Sequence, residues 1–207
     1  MSISLFFGLP GCGKTTLMSS IALDAIKKKK YKNIYCNVRL TIPGVTYISN
    51  DCIGRYGLFD SLILIDEATL FADSRDFKSF DKGKLTFFME HRHFHSNIYL
   101  FTQQWDGVDR KIRVITDKVF YVYKPFLIGK WFTRYYRIPY GIIIPDEKKG
   151  SGSNKLGEII QGYCKPPLFV RFFAPIFFRP KFYKYFDSWE IPPGFPPLPI
   201  QYKSYSE

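Results

Sequence analysis

The stretch GLPGCGKTT, residues 8–16, decides how the rest of the chain is read. Its spacing fits G-x-x-x-x-G-K-[ST], with Gly8, Gly13, Lys14 and Thr15 in the four fixed places. Just before it ISLFF (residues 3–7) is an apolar run that reads as a buried strand, and just after it TLMSSIALDAIKK (residues 16–28) reads as a helix. A strand, a glycine-rich loop and a helix in that order are the context in which such a loop holds a phosphate.

The chemistry behind the spacing is anion binding. Small residues let the backbone curl until successive N–H groups point inward, and the following helix adds the partial positive charge of its N-terminus. ATP is the expected ligand, cradled by Gly8, Leu9, Pro10, Gly11, Cys12, Gly13, Lys14, Thr15 and Thr16. Lys14 would reach the β and γ phosphates and the Thr15 hydroxyl would complete the coordination of Mg2+. A turn that binds nothing is the bland alternative, and the flanking strand and helix disfavour it. Cys12, close to Lys14 and to a helix N-terminus, is expected to have a lowered thiol pKa and to react with alkylating agents.

Hydrolysis needs a second acidic element, and SLILIDEA (residues 61–68) supplies one. A hydrophobic strand ending in an acid is the Walker B arrangement, so Asp66 would hold the Mg2+ shell from the strand's end. Glu67 follows directly, placed to orient or deprotonate the attacking water. The next strand, NIYLFTQQ (residues 97–104), ends in Thr102, Gln103 and Gln104. In ATPases with an extra strand between the two Walker strands, a polar residue at this position senses the γ phosphate. Gln103 is the expected sensor, with Thr102 next to it. Charge on the transferred phosphoryl group is commonly neutralised by an arginine from a neighbouring subunit. Arg75, Arg110 and Arg113 are the candidates, and a finger of this kind would make the active form an oligomer, most simply a ring.

Around these motifs the chain alternates apolar strands and helical segments. NIYCNV and VTYIS read as short strands, VDRKIRVI as a short helix, and DKGKLTFFMEHRHFH as a helix on the period of Leu85, Phe88 and Met89. KVFYVYKPFLIGKWFTRYYRIPYG reads as a hairpin turning near Gly129. The expected fold is α/β, a P-loop NTPase with a mostly parallel sheet flanked by helices and an additional strand between the Walker A and Walker B strands. Its parts are a P-loop ATPase core over residues 1–144, a flexible loop and connection over 145–162, and a proline- and aromatic-rich C-terminal extension over 163–207. Nine of the 14 prolines lie in that extension, so it should be extended, and its rings must pack on something. Packing on its own core is the expectation and docking on a partner the alternative.

The 207 residues carry a net charge of +12, unevenly placed, with 13 basic and 10 acidic side chains up to Asp106 and 17 against 8 beyond it. A basic second half suits nucleic acid, an anionic membrane surface or an acidic protein. Cys12, Cys36, Cys52 and Cys164 have no C-x-x-C spacing and read as reduced thiols of a cytoplasmic protein. No apolar run is long enough to span a bilayer, since PPLFVRFFAPIFFRP is broken by Arg171 and Pro175. His91, His93 and His95 invite a metal, but nothing joins them at a ligand spacing.

GLPGCGKTT, LILIDEA with Arg75 soon after it, a helix-borne HRH at residues 91–93, NIYLFTQQ and VDRKIR together resemble the zonular occludens toxin family. That family is similar to the assembly and export ATPases of filamentous phages, within the wider FtsK and HerA group of DNA-pumping motors. The resemblance spans Ser2 to Tyr123. It implies a phage or mobile-element ATPase acting in virion assembly, export, DNA translocation or packaging, with phage DNA or coat and capsid proteins as partners. Family members typically continue into a transmembrane helix and an extracytoplasmic region, and neither is expected within these residues. The expectation is therefore a soluble motor in the host cytoplasm, held at the inner membrane through a membrane protein partner. The alternative is a nucleotide-gated adaptor with slow ATP turnover that recruits partners through its tail.

Overall fold

ISLFF forms strand β1 (Ile3–Phe7), and every one of its residues is buried. It is buried because strands lie on both its edges and helices cover both its faces, the usual surroundings of a parallel strand with a continuous apolar run. The computed structural model describes residues 1–70, 82–105, 107–125, 128–138 and 173–186.

Helix α1 (Lys14–Lys27) follows the glycine-rich loop, and then come β2 (Asn33–Cys36), β3 (Thr46–Tyr47) and β4 (Ser61–Ile65). Helix α2 (Lys82–Met89), β5 (Asn97–Thr102), α3 (Arg110–Ile115), β6 (Lys118–Tyr123), β7 (Phe132–Ile138) and β8 (Ile176–Phe178) complete the order. The strands make one sheet in the order β3-β2-β4-β5-β1-β6-β7-β8. From β3 to β6 neighbours run parallel, and β7 and β8 are added antiparallel. Strand β5 sits between β1 and β4, so an additional strand separates the Walker A and Walker B strands, as expected. The hairpin of β6 and β7 has Gly129 in its turn.

Alternate residues sort the core into two layers. Ile3, Leu5, Ile63 and Ile98 face the side covered by Phe88 of α2 and Ile112 of α3. Phe6, Leu62, Leu64 and Phe101 face the side covered by Leu17, Met18 and Ala22 of α1. On that second face Phe6 stacks between Phe101 of β5 and Phe120 of β6, with ring centroids 4.9 and 4.6 Å apart. Each such ring contributes about 1.5–3 kcal/mol on burial, so the cross-strand stack fixes the register of β1, from which the phosphate loop starts.

One expectation is corrected. The HRH segment is not helix-borne: α2 ends at Met89 and residues 90–95 are turns. His91 Nδ1 bonds the Phe88 carbonyl at 2.7 Å, taking an acceptor that a continuing helix would use, and His95 at the end of the turns has a left-handed φ of 54°. In the extension, expected to pack on its own core, Phe182 is buried while Phe173 and Phe178 are exposed. β8 hydrogen-bonds to β7, and the 3-10 segment Arg179–Tyr185 lies beside α1, where the Tyr185 carbonyl accepts from Thr41 N–H at 2.8 Å. Phe169, Phe172, Trp189 and the loop at 145–157 lie outside the described residues. Among the described residues no helix is long and apolar enough to cross a membrane.

Candidate active site

The C-terminal ends of the parallel strands meet at one edge of the sheet, the edge where open α/β sheets bind ligands. The loop after β1 is anchored there by Gly8 N–H donating to the Thr102 carbonyl at 3.2 Å. A Cβ on Gly8 would collide with the Val122 carbonyl oxygen, so only glycine lets the loop pass this close to β6. Gly13 takes φ 98° and ψ 31° as the N-cap of α1, with no side chain capping the helix. The free N–H groups of its first turn therefore face the cleft, where an anion would satisfy them. Lys14 is buried, and its Nζ donates to the Gly8 carbonyl at 2.9 Å and to the Leu9 carbonyl at 3.3 Å.

Across the cleft, Thr15 Oγ1 donates to Asp66 Oδ2 at 2.9 Å. Burial raises the Asp66 carboxyl above the ordinary carboxylate pKa, opposed by the bonds from Thr15 and from Glu67 N–H. A hydroxyl and a carboxylate side by side, the carboxylate strained by burial, form an all-oxygen donor set that fits Mg2+. Asn37, just past β2, holds the Asp66 backbone at both ends: its Oδ1 accepts from Asp66 N–H at 2.7 Å and its Nδ2 donates to the Asp66 carbonyl at 2.9 Å.

Glu67 has a φ of 48°, rare for a residue with a side chain, and its Oε1 accepts from Gln103 Nε2 at 2.6 Å. Thr102 is buried and turned into its own loop, donating to the Gln104 carbonyl at 3.0 Å. Of the two sensor candidates, Gln103 is the one that lines the cleft. Pro10, Gly11, Gly13, Lys14, Thr15, Thr16, Asp66, Glu67 and Gln103 line it together with Arg179, Tyr183 and Phe186. Gly8 and Leu9 stand behind it as acceptors for Lys14.

Cys12 departs from expectation. It is 2% exposed, and burial raises its thiol pKa, outweighing the lowering by Lys14, Lys124 and Arg179. Of the arginine candidates, Arg75 lies outside the described residues and Arg110 opens α3. The Arg113 guanidinium lies 5.7 Å from the Trp105 ring centroid, outside the cleft lining. The arginine that the described residues bring to the cleft is Arg179. No spacing announced it, because it lies at the end of a three-residue strand in the proline-rich tail. Asn37 was equally hidden, an ordinary polar residue in a turn.

Comparison with known proteins bears on this arrangement. No curated protein sequence matches the chain. Among solved structures, the N-terminal domain of zonular occludens toxin from Neisseria meningitidis is similar at 19% identity. The match covers 90% of this chain and 98% of that one, with a TM-score of 0.53. The flagellar accessory protein FlaH from Methanocaldococcus jannaschii is similar at 13% identity over 67% of this chain and 78% of that one, TM-score 0.51. The genome packaging NTPase B204 from Sulfolobus turreted icosahedral virus 2, in complex with ATP-gammaS, matches at 13% identity over 65% and 91%, TM-score 0.48. A family model described as zonular occludens toxin (Zot) matches residues 46–154, a span that takes in Asp66, Glu67 and Gln103. The phosphate loop lies upstream of that span. With more than half of its length matched and the P-loop NTPase fold around the match, the chain belongs to the zonular occludens toxin family.

Proposed function

We propose that the chain is an ATP-hydrolysing motor of a phage or mobile element, acting in virion assembly and export or in DNA translocation and packaging. The observation that carries the reading is the facing of two pairs across one cleft, Thr15 with Asp66 and Glu67 with Gln103, beside Lys14. Lys14 and the N–H groups of α1 bind the phosphate chain. Thr15 and Asp66 would hold Mg2+, which would supply withdrawal of charge from the phosphate oxygens. Glu67 takes a proton from the attacking water as the water oxygen bonds to the γ phosphorus and the bond from the β,γ-bridging oxygen breaks, that oxygen leaving with ADP and the product being inorganic phosphate. Gln103 fixes the orientation of Glu67 and reports on the γ phosphate through it.

The basic second half of the sequence supports a polyanion such as phage DNA as the moved substrate. A ring of subunits, with Arg75, Arg110 or Arg113 reaching the neighbour's nucleotide, belongs to the same proposal, as does a membrane protein that places the motor at the inner membrane. Of the extension through which the adaptor alternative would recruit partners, residues 176–185 are engaged with β7 and α1, which favours the motor reading. Phosphate release by the purified chain, measured with ATP and Mg2+ alone and then with DNA or coat protein added, tests the proposal. Stimulated release, lost in Lys14→Ala, is the expected result. A release rate indifferent to Lys14 and to every added polymer removes the motor reading.

A further inference from the structure

The cleft has two sides, and the acidic and polar residues Asp66, Glu67 and Gln103 stand on one of them. Strand β1 lies between β5 and β6. Glu67 and Gln103 approach the loop from the β4 and β5 side. From the other side come the residues that follow β8: Arg179, Tyr183 and Phe186.

Arg179 is held rather than loose. Its N–H donates to the Trp131 carbonyl at 2.8 Å and its Nη1 to the Gly129 carbonyl at 3.1 Å, both in the β6–β7 turn. Its guanidinium lies against the loop, since a Cβ placed on Gly13 would stand 3.2 Å from Arg179 Nε. That Nε is buried and has no hydrogen-bond partner among the described residues. A buried guanidinium donor with nothing to bond is costly unless a ligand satisfies it. Next to it, Tyr183 is 45% exposed, with the Arg179 Cζ 5.9 Å from its ring centroid, and the rings of Tyr183 and Phe186 meet edge to face at 6.4 Å.

We propose that the segment Arg179–Phe186 forms the nucleoside side of the cleft, with Arg179 donating to a phosphate oxygen and Tyr183 and Phe186 offering the faces and edges against which the base packs. This rests on the reading of the cleft as an ATP site. If the γ phosphate points at Glu67 and Gln103, the α phosphate and the nucleoside run the opposite way along the loop, toward Arg179. Contacts there are made equally to ATP and ADP. They add uniform binding and leave the chemical step alone, which separates Arg179 from an arginine finger.

Binding of ADP, ATP and inorganic tripolyphosphate to the full chain, measured by titration calorimetry beside steady-state kinetics, tests this. Arg179→Met should weaken ADP and ATP alike by about tenfold or more, the size of a lost charge-assisted hydrogen bond, raise KM and leave kcat within about twofold. Arg179→Lys should recover part of the affinity. Tyr183→Ala, at an exposed ring and safe for folding, should weaken ADP but not tripolyphosphate, which has no base. A parent that binds ADP together with variants that bind it equally well overturns the inference and leaves the ATP site standing. Loss of kcat at unchanged affinity in Arg179→Met also overturns it. A parent that binds neither ADP nor ATP overturns the nucleotide reading and this inference with it.

Discussion

Gln103 Nε2 and Glu67 Oε1 are 2.6 Å apart, a hydrogen bond that ties the end of β5 to the end of β4. The bond holds a carboxylate whose backbone is already in the left-handed region. Glu67→Gln should bind nucleotide as the parent does, because an amide still bonds water and can still meet Gln103. It should slow hydrolysis by about 10² to 10⁴, since an amide cannot take the proton. Phosphate release and ADP affinity measured on the same preparation check both halves, and an unslowed variant removes Glu67 from the mechanism.

Asn37 matters for Asp66 in another way, through the backbone. Asn37→Ala removes the acceptor for Asp66 N–H and the donor for its carbonyl. Leaving a partly buried peptide group unmatched costs about 1–3 kcal/mol. The variant should melt lower than the parent and require more Mg2+ for half-maximal hydrolysis, because the Asp66 carboxylate is no longer aimed at Thr15. An unchanged melt and Mg2+ requirement would show that water replaces the amide without loss.

The strands and the phosphate loop were legible because each leaves a local pattern. ISLFF and SLILIDEA carry their apolar runs in adjacent residues, and Gly8 to Thr15 stand at fixed spacing. The Walker acids and the polar end of β5 followed from their place after those runs. Contacts without a local period were illegible. Arg179 meets Gly13 only because β8 joins the far edge of the sheet, and Asn37 meets Asp66 only because β2 lies beside β4. The misreading of HRH has another root, a local one: the His91 ring takes the Phe88 carbonyl in the last turn of α2, a side-chain bond that the spacing of Leu85, Phe88 and Met89 does not reveal.

Cys12 should resist alkylation. Its sulfur is buried and its thiolate disfavoured, whereas Cys52 is half-buried. Brief treatment of the native chain with iodoacetamide followed by peptide mass mapping should modify Cys52 well ahead of Cys12. Cys36, whose thiol pKa is pushed up to about 12 by burial, should be as slow as Cys12. Rapid labelling of Cys12 would show that the phosphate loop opens.

His91 links stability to pH. Burial holds its imidazole below the ordinary value of 6.5, while its bond to the Phe88 carbonyl and the Asp117 charge pull the other way. The unfolded chain therefore takes up this proton first as pH falls. The His91 contribution is complete above pH 6.5 and is lost as pH falls through that value toward the lower folded pKa. Melting curves from pH 8 to 5 should converge for the parent and His91→Gln as acid is added. A constant gap between them would place the proton elsewhere.

The tail is the sharpest test of how the sheet and the site depend on each other. A chain ending at Gly162 loses β8, and β7 is left as an exposed edge whose Phe132, Thr133 and Arg134 had paired with Phe178, Phe177 and Ile176. Such an edge invites pairing with other chains. It also loses Phe182, 8% exposed, whose burial is worth about 1.5–3 kcal/mol. The half-buried Phe177 goes too, and with it an edge-to-face contact at 6.0 Å to Phe182. Against a total stability of about 5–15 kcal/mol for an ordinary domain, these losses are a large share. The shortened chain should melt lower and less cooperatively, associate on size-exclusion chromatography, and bind ADP weakly because Arg179 is gone from beside Gly13. A cooperative melt at the parental temperature with parental ADP affinity would show that neither the sheet nor the nucleotide needs the tail.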